Sequence, residues 1–338
     1  MKTQNNVLII AEAGVNHNGD INIAFELVNA AAKAGADIIK FQTFNPDSLV
    51  TSYSRKADYQ KKNDMGRDEN QSTMLKRLQL KSSENHLLVN KCNSLGIEFL
   101  STGFDLESLD FLEKLDLKRY KIPSGEITNL PYLRRISKFK KPIIMSTGMA
   151  SILEIKASLN ALYEGGLTQK DITLLQCTTE YPAPIDEINL KAMKAFKRQF
   201  NVKYGISDHS DGIEVSIGAA ALGASIIEKH ITLDRTLPGP DHKASIEPDL
   251  FKDMVIGIRK IEKALGDGEK KITKSEIKNK DIVRKSLVAL KEIKKGEIFT
   301  MDNIGCKRPG YGISPMRIDE IIGSLSQKHY FIDEMIEI

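Results

Sequence analysis

Eight short strand-like runs recur along the chain, each followed by a stretch able to form a helix, and together they predict a (β/α)8 barrel. Two further observations support that class. Polar residues collect at the C-terminal end of all eight runs, where such barrels keep their chemistry. After Gly266 the texture changes into a small separate module.

In order, the runs are VLIIAE (7–12), DIIKFQT (37–43), IEFLST (97–102), RYKIPS (119–124), PIIMST (142–147), ITLLQCT (172–178), YGISDHS (204–210) and SIIEKHIT (225–232). The first has too short an apolar core for a signal peptide and reads as a strand. Between runs, 23–34 and 107–115 place apolar residues at three- and four-residue intervals, and Gly35 follows the first as a stop signal. The segment 44–75 is long and polar, and reads as a lid or wall over the barrel mouth with Tyr59 and Gln60 facing substrate. Beyond Gly268, EKKITKSEIKNKD is charged and poor in apolar residues, as an exposed connector would be. The chain therefore divides into a barrel over 1–267, a linker over 268–281 and a module over 282–338. That module has a Pro/Gly-rich loop at 308–315 and is small enough that docking on another surface is expected.

With 338 residues, 41% of them hydrophobic, the chain can bury a large core. Its weakly polar stretch 216–227 runs into Glu228 and Lys229 and falls short of the roughly 20 apolar residues of a membrane span. Cys92, Cys177 and Cys306 lack CxxC spacing, so reduced thiols and a cytoplasmic setting are expected. A net charge of +4 from 49 basic and 45 acidic side chains gives no footprint for nucleic acid. Any bound anion must be held by local basic residues.

The sharpest local signal is the pair His209 and His230, followed by Gly239-Pro240-Asp241-His242. Alternation along a strand puts Ser207 with His209 on one face, and Glu228 with His230 on the next strand's face. Two neighbouring strands thus aim imidazoles at one point, as a metal site at the barrel mouth requires. The strand ends read Glu12, Lys40 and Gln42, Thr102, Lys121 and Ser124, Ser146, Thr178 and Thr179, Ser207 and His209, and His230. Lys40 and Lys121 sit within apolar runs, where a charge is costly unless it meets its opposite. An anionic substrate supplies that charge; the alternative is a buried ion pair with Glu12 or Glu126. Ser124-Gly125 and Ser146-Thr147-Gly148 add hydroxyls and close backbone approach suited to phosphate or carboxylate.

AEAGVNHNG (11–19), KFQTF (40–44), KIPSGE (121–126), STGMA (146–150), YPAP (181–184), SDHS (207–210), EKH (228–230) and GPDH (239–242) resemble the motifs of the sialic acid synthase family. KRPGYGISP (307–315) resembles that family's type III antifreeze-like, or SAF, domain, a β-clip module. The resemblance implies a reaction of phosphoenolpyruvate, an N-acetylated mannose-type sugar and water. It implies that His209 and His230 bind a divalent metal, manganese in most members, with magnesium or cobalt as alternatives. Lys40, Thr102, Lys121, Ser124, Ser146, Ser207 and His230 match positions around phosphoenolpyruvate. Glu12, Gln42, Tyr181 and Asp241 match positions on the acceptor, and Glu126 a carboxylate that manages the attacking water. Thr179 stands where some members carry Asn. Arg308 matches an arginine that reaches the acceptor from the partner subunit of a domain-swapped homodimer.

The family's centre of gravity favours N-acetylmannosamine as acceptor and N-acetylneuraminate as product. The alternative acceptor is 2,4-diacetamido-2,4,6-trideoxymannose, which gives legionaminic acid. A non-catalytic carbohydrate- or ice-binding protein is disfavoured, because the tail module is rich in Lys and Glu where an ice-binding face is flat and uncharged.

Overall fold

All eight runs form strands in the computed structural model, which describes residues 6–64, 67 and 69–338. They are β1 (Leu8–Gly14), β2 (Ile38–Thr43), β3 (Glu98–Gly103), β4 (Tyr120–Ile122), β5 (Ile143–Ser146), β6 (Ile172–Cys177), β7 (Lys203–Asp208) and β8 (Ile226–His230). They pair in parallel in the order β3-β2-β1-β8-β7-β6-β5-β4, and β3 also packs beside β4. The series is therefore a nearly closed ring. Strands buried on both faces must be continuously apolar, which is why Ile9, Ile10, Ile38, Ile39, Leu174 and Ile227 are inaccessible to solvent.

A helix follows every strand, beginning with α1 (Ile21–Ala34). The Asp20 carboxylate accepts from the Asn22 amide at its start, and Gly35 ends it at φ 87°, a left-handed conformation that glycine adopts without strain. Its Ala24, Leu27, Val28 and Ala31 form the buried stripe against the strands. The segment after β2 is not one irregular wall: it holds three short helices, α2 (Pro46–Leu49), α3 (Asp58–Asn63) and α4 (Gln71–Leu78). Asn45 and Asn70 cap α2 and α4, and Met74 and Leu78 pack with Val15 and Phe44 into a small apolar cluster of their own. Residues 65, 66 and 68 of that segment lie outside the described residues. The remaining barrel helices are α5 (Ser82–Leu95), α6 (Leu106–Lys114), α7 (Leu130–Ser137), α8 (Ile152–Glu164), α9 (Ala192–Phe200), α10 (Glu214–Ala221) and α11 (Pro248–Leu265).

The chain separates into two compact units, Met1–Gly266 and Asp267–Ile338. In the second, the stretch read as a linker carries α12 (Lys274–Val283), opened by a Thr273–Glu276 capping box and burying none of its residues. Beyond it, β9 (Ser286–Ala289) pairs antiparallel with β10 (Ile304–Lys307), followed by α13 (Ile318–Ile321). Leu287, Ile293, Phe299, Ile304, Tyr330 and Ile336 form this unit's core. No described helix is long and apolar enough to cross a membrane.

Candidate active site

The C-terminal strand ends of the barrel surround a cavity of about 410 Å³. Every site residue expected in the barrel lines it: Glu12, Lys40, Gln42, Thr102, Lys121, Ser124, Glu126, Ser146, Thr179, Tyr181, Ser207, His209, His230 and Asp241. Tyr59 and Gln60 of α3 line it too. The Gln60 carbonyl also accepts from the Ala57 amide, so this side chain helps to cap its own helix.

At the floor lie two lysines and two carboxylates, all buried. Lys121 Nζ donates to both oxygens of Glu228 at 2.9 and 3.1 Å. Lys40 Nζ lies 2.7 Å from Glu12 Oε2 and 3.7 Å from Glu228 Oε2, and donates to Thr102 Oγ1 at 3.1 Å. Ser207 Oγ donates to Glu228, and Gln42 Nε2 to Glu12. Burial alone would neutralise Glu228, but Lys121 and Lys40 hold its carboxyl well below the usual range. Burial raises Glu12 despite Lys40 beside it, and lowers Lys121 despite Glu228. The ammonium of Lys40 is kept above its ordinary value against burial, by Glu12 and Glu228. Two lysines and two carboxylates thus share the floor, and an entering anion meets both Lys40 and Lys121 there.

Above this floor the rings of His209 and His230 stand 5.2 Å apart. His209 Nδ1 donates to the Thr178 carbonyl at 2.7 Å, and its Nε2 meets Ser207 Oγ at 3.4 Å. Burial, with His209 and Lys40 adding to it, keeps His230 neutral, far below its ordinary pKa. Its Nδ1 has no hydrogen-bond partner and lies 3.9 Å from Asp241 Oδ2. Asp241 is raised to about 7 by burial and by Glu12. Tyr181 stacks on His209 at 4.1 Å and meets Tyr59 at 4.7 Å. Behind the histidines, the residues just before them, Asp208 and Lys229, form a fully buried ion pair at 3.1 Å that ties β7 to β8.

The third feature is a set of hydroxyls. Ser146 Oγ and Thr179 Oγ1 are buried without hydrogen-bond partners, and a buried hydroxyl left unpaired is costly unless a ligand meets it. Ser124 Oγ accepts from the Gly148 amide at 3.0 Å. Any side chain at Gly148 would place its Cβ 2.4 Å from Thr179 Oγ1 and 2.8 Å from Ser124 Oγ, so those hydroxyls would have to shift. Glu126 accepts from Asn129 Nδ2 at 2.6 Å, and burial raises its pKa against that hydrogen bond.

Arg308 is an exposed residue of the second unit. Glu228 and Cys177 were not singled out as site residues. Glu228 shares the face of His230 and was visible by alternation, whereas Cys177, against Ser124 Oγ at 3.7 Å, gave no signal in its spacing. The expected lysine partners are also redistributed. Lys40 does meet Glu12, but Lys121 takes Glu228 and leaves Glu126 to Asn129.

Comparison with known proteins agrees with this geometry. Residues 27–270 match the NeuB family model and residues 284–337 the SAF domain. The chain is 54% identical over 329 residues to the N,N'-diacetyllegionaminic acid synthase of Campylobacter jejuni, covering 97% of this chain and 98% of the relative. It is 47% identical over 318 residues to the enzyme of that name from Legionella pneumophila, covering 94% and 89%. Among solved structures, the N-acetylneuraminic acid synthetase of Leptospira borgpetersenii, in complex with citrate, superposes with a TM-score of 0.72 at 33% identity, covering 81% of this chain and 90% of that one. With the match spanning most of the barrel and full-length relatives well above the level of chance likeness, the chain belongs to the NeuB family, the phosphoenolpyruvate-dependent nonulosonic acid synthases.

Proposed function

We propose that this protein condenses phosphoenolpyruvate with 2,4-diacetamido-2,4,6-trideoxymannose and water, giving N,N'-diacetyllegionaminic acid and phosphate. The observation that carries this reading is the 54% and 47% identity, over nearly the whole chain, to two enzymes of that name. It displaces the preference for N-acetylmannosamine, since the sialic acid synthetase of known structure stands at 33%. The cavity wall supports the change of acceptor. Leu49, Val50, Met74, Leu75, Leu78 and Phe104 present an apolar surface on one side, and the trideoxy sugar offers a C6 methyl and a second acetamido methyl where N-acetylmannosamine has hydroxyls.

In this reading the enol carbon of phosphoenolpyruvate bonds to the acceptor's aldehyde carbon. Water adds to the carbon that bears the phosphate, and C–O cleavage then releases phosphate and leaves the 2-keto acid. Lys40 and Lys121 balance carboxylate and phosphate, while Ser124, Ser146, Thr179 and Ser207 supply hydroxyls to them. Thr102 fixes Lys40. Glu126, whose carboxyl burial makes more basic, is placed to take the proton that the attacking water loses, and Glu12 to move a proton at the acceptor oxygen. Gln42, Tyr181 and Asp241 face the acceptor.

The two histidines suit a divalent cation, because His230 Nδ1 has no hydrogen-bond partner and His209 Nε2 meets only the Ser207 hydroxyl at 3.4 Å. Among the described residues no cluster of three or more His, Cys, Asp or Glu is arranged as a metal site, so water and substrate would complete the shell. Manganese is the first choice, with magnesium and cobalt next. When bound, such an ion supplies Lewis acidity to an aldehyde oxygen. A homodimer in which Arg308 of a second copy reaches this mouth, working in the cytoplasm, belongs to the same reading.

The test is phosphoenolpyruvate carrying 18O at its bridging oxygen, turned over with the trideoxy sugar. The account expects all label in phosphate and a product of the mass of diacetyllegionaminic acid. Label retained in the sugar acid would contradict it.

A further inference from the structure

We infer that Asn63 is a positioning residue that sets the acceptor side of the mouth by holding two loops at one spacing. The proposal rests on the reading of Tyr181 and Asp241 as acceptor contacts. Asn63 closes α3 and is 3% exposed. Its Nδ2 donates to the carbonyl of Tyr181 and to that of Pro240, both at 3.0 Å. One amide group thus joins three segments far apart in sequence: the insertion after β2, the loop after β6 and the loop after β8. Both acceptors are at the site itself, since Tyr181 stacks on His209 and Pro240 immediately precedes Asp241.

The geometry on the other side of α3 makes this bridge stiff. Asp64, the next residue, is fully buried and bound by Arg77 at 2.8 Å and Lys56 at 3.4 Å. One turn earlier, Tyr59 packs on Tyr181. The helix end is therefore fixed within the insertion by ion pairs and to the barrel loops by Asn63. Only a side chain with two N–H donors in a plane satisfies both carbonyls at once. Substitution by Ala leaves both carbonyls, that of Pro240 in a buried setting, without that donor, and Asp keeps the volume while offering only acceptors.

The experiment is steady-state kinetics with each substrate varied in turn, on Asn63→Ala and Asn63→Asp, together with amide hydrogen exchange. Two amides report the loops directly: Ala183 donates to the His209 carbonyl, and Ala244 to that of Asp241. The expected result is a rise of tenfold or more in acceptor KM, a phosphoenolpyruvate KM within twofold of the parent, and faster exchange at 180–185 and 240–246 with the rest of the barrel unchanged. Both KM values rising together, or unchanged exchange in the two loops, would overturn the proposal, because a residue that merely stabilised the fold does not discriminate between substrates. If Asn63→Ala does not fold, Asn63→Ser, which keeps one donor, is read by the same two criteria. Should the parent enzyme use neither acceptor, the functional reading fails, and the exchange data still decide the role of Asn63.

Discussion

Lys121 is held in an apolar run of β4 by a carboxylate 107 residues away on β8, and that separation shows what a single strand's pattern can and cannot reveal. The cost of burying an ammonium announces that a partner exists. Which carboxylate serves is decided by barrel closure, which is why Glu126, four residues beyond the end of β4 and close in sequence, was a natural but mistaken candidate beside Glu228. Removing the cation tests its role. Lys121→Met is expected to lower kcat/KM for phosphoenolpyruvate by about 2–3 kcal/mol, roughly 30- to 150-fold; steady-state kinetics with the acceptor saturating would show it, and parental values would sink the charge argument. Gly148 makes a steric counterpart. With its Cβ forced to 2.4 Å from Thr179 Oγ1, Gly148→Ala should weaken phosphoenolpyruvate binding by about 1–3 kcal/mol, read as KM, with the far-ultraviolet spectrum unchanged. The histidines, lysines and hydroxyls were legible because strand alternation points them inward. Thiol Cys177 and amide Asn63 were not, since neither type is costly or patterned at its place in the chain.

At the scale of elements, the eight strands were readable because a parallel strand covered on both faces has to be continuously apolar. The insertion after β2 was harder. Its helices are short, and the stripe that fixes them, Met74 and Leu78 against Val15 and Phe44, is completed only by partners from β1 and β2 ends. The loops after β1 and β8 carry their own pH sensitivity. His17 is held down to about 4 by burial, with His242 adding to this and the Gly14 carbonyl and Asp20 resisting. His242 is likewise lowered to about 4 by burial, against Asp234. Each folded-state pKa lies below its unfolded value of 6.5, so native loops favour neutral rings and the unfolded chain takes up the proton first. Stability is therefore complete above pH 6.5 and falls as pH drops toward 4, by up to about 3 kcal/mol for His17 alone. Thermal midpoints across that window should show the decline, and His17→Gln should flatten it; an equal slope in that variant would refute the assignment.

For the whole molecule, the change of composition after Gly266 was visible in the chain, while α12 was hidden because its exposed, charged face resembles a connector. Truncation after Gly266 is expected to leave the barrel folded by circular dichroism yet lower synthase activity at least tenfold, as the reading of Arg308 requires; a fully active barrel would remove any role for the tail. The most direct test of the central claim is phosphate release from phosphoenolpyruvate with manganese, comparing the two acceptors in parallel. The account predicts kcat/KM at least tenfold higher for 2,4-diacetamido-2,4,6-trideoxymannose than for N-acetylmannosamine, with both lost in His209→Ala. Preference for N-acetylmannosamine, or no phosphate from either sugar, would contradict it.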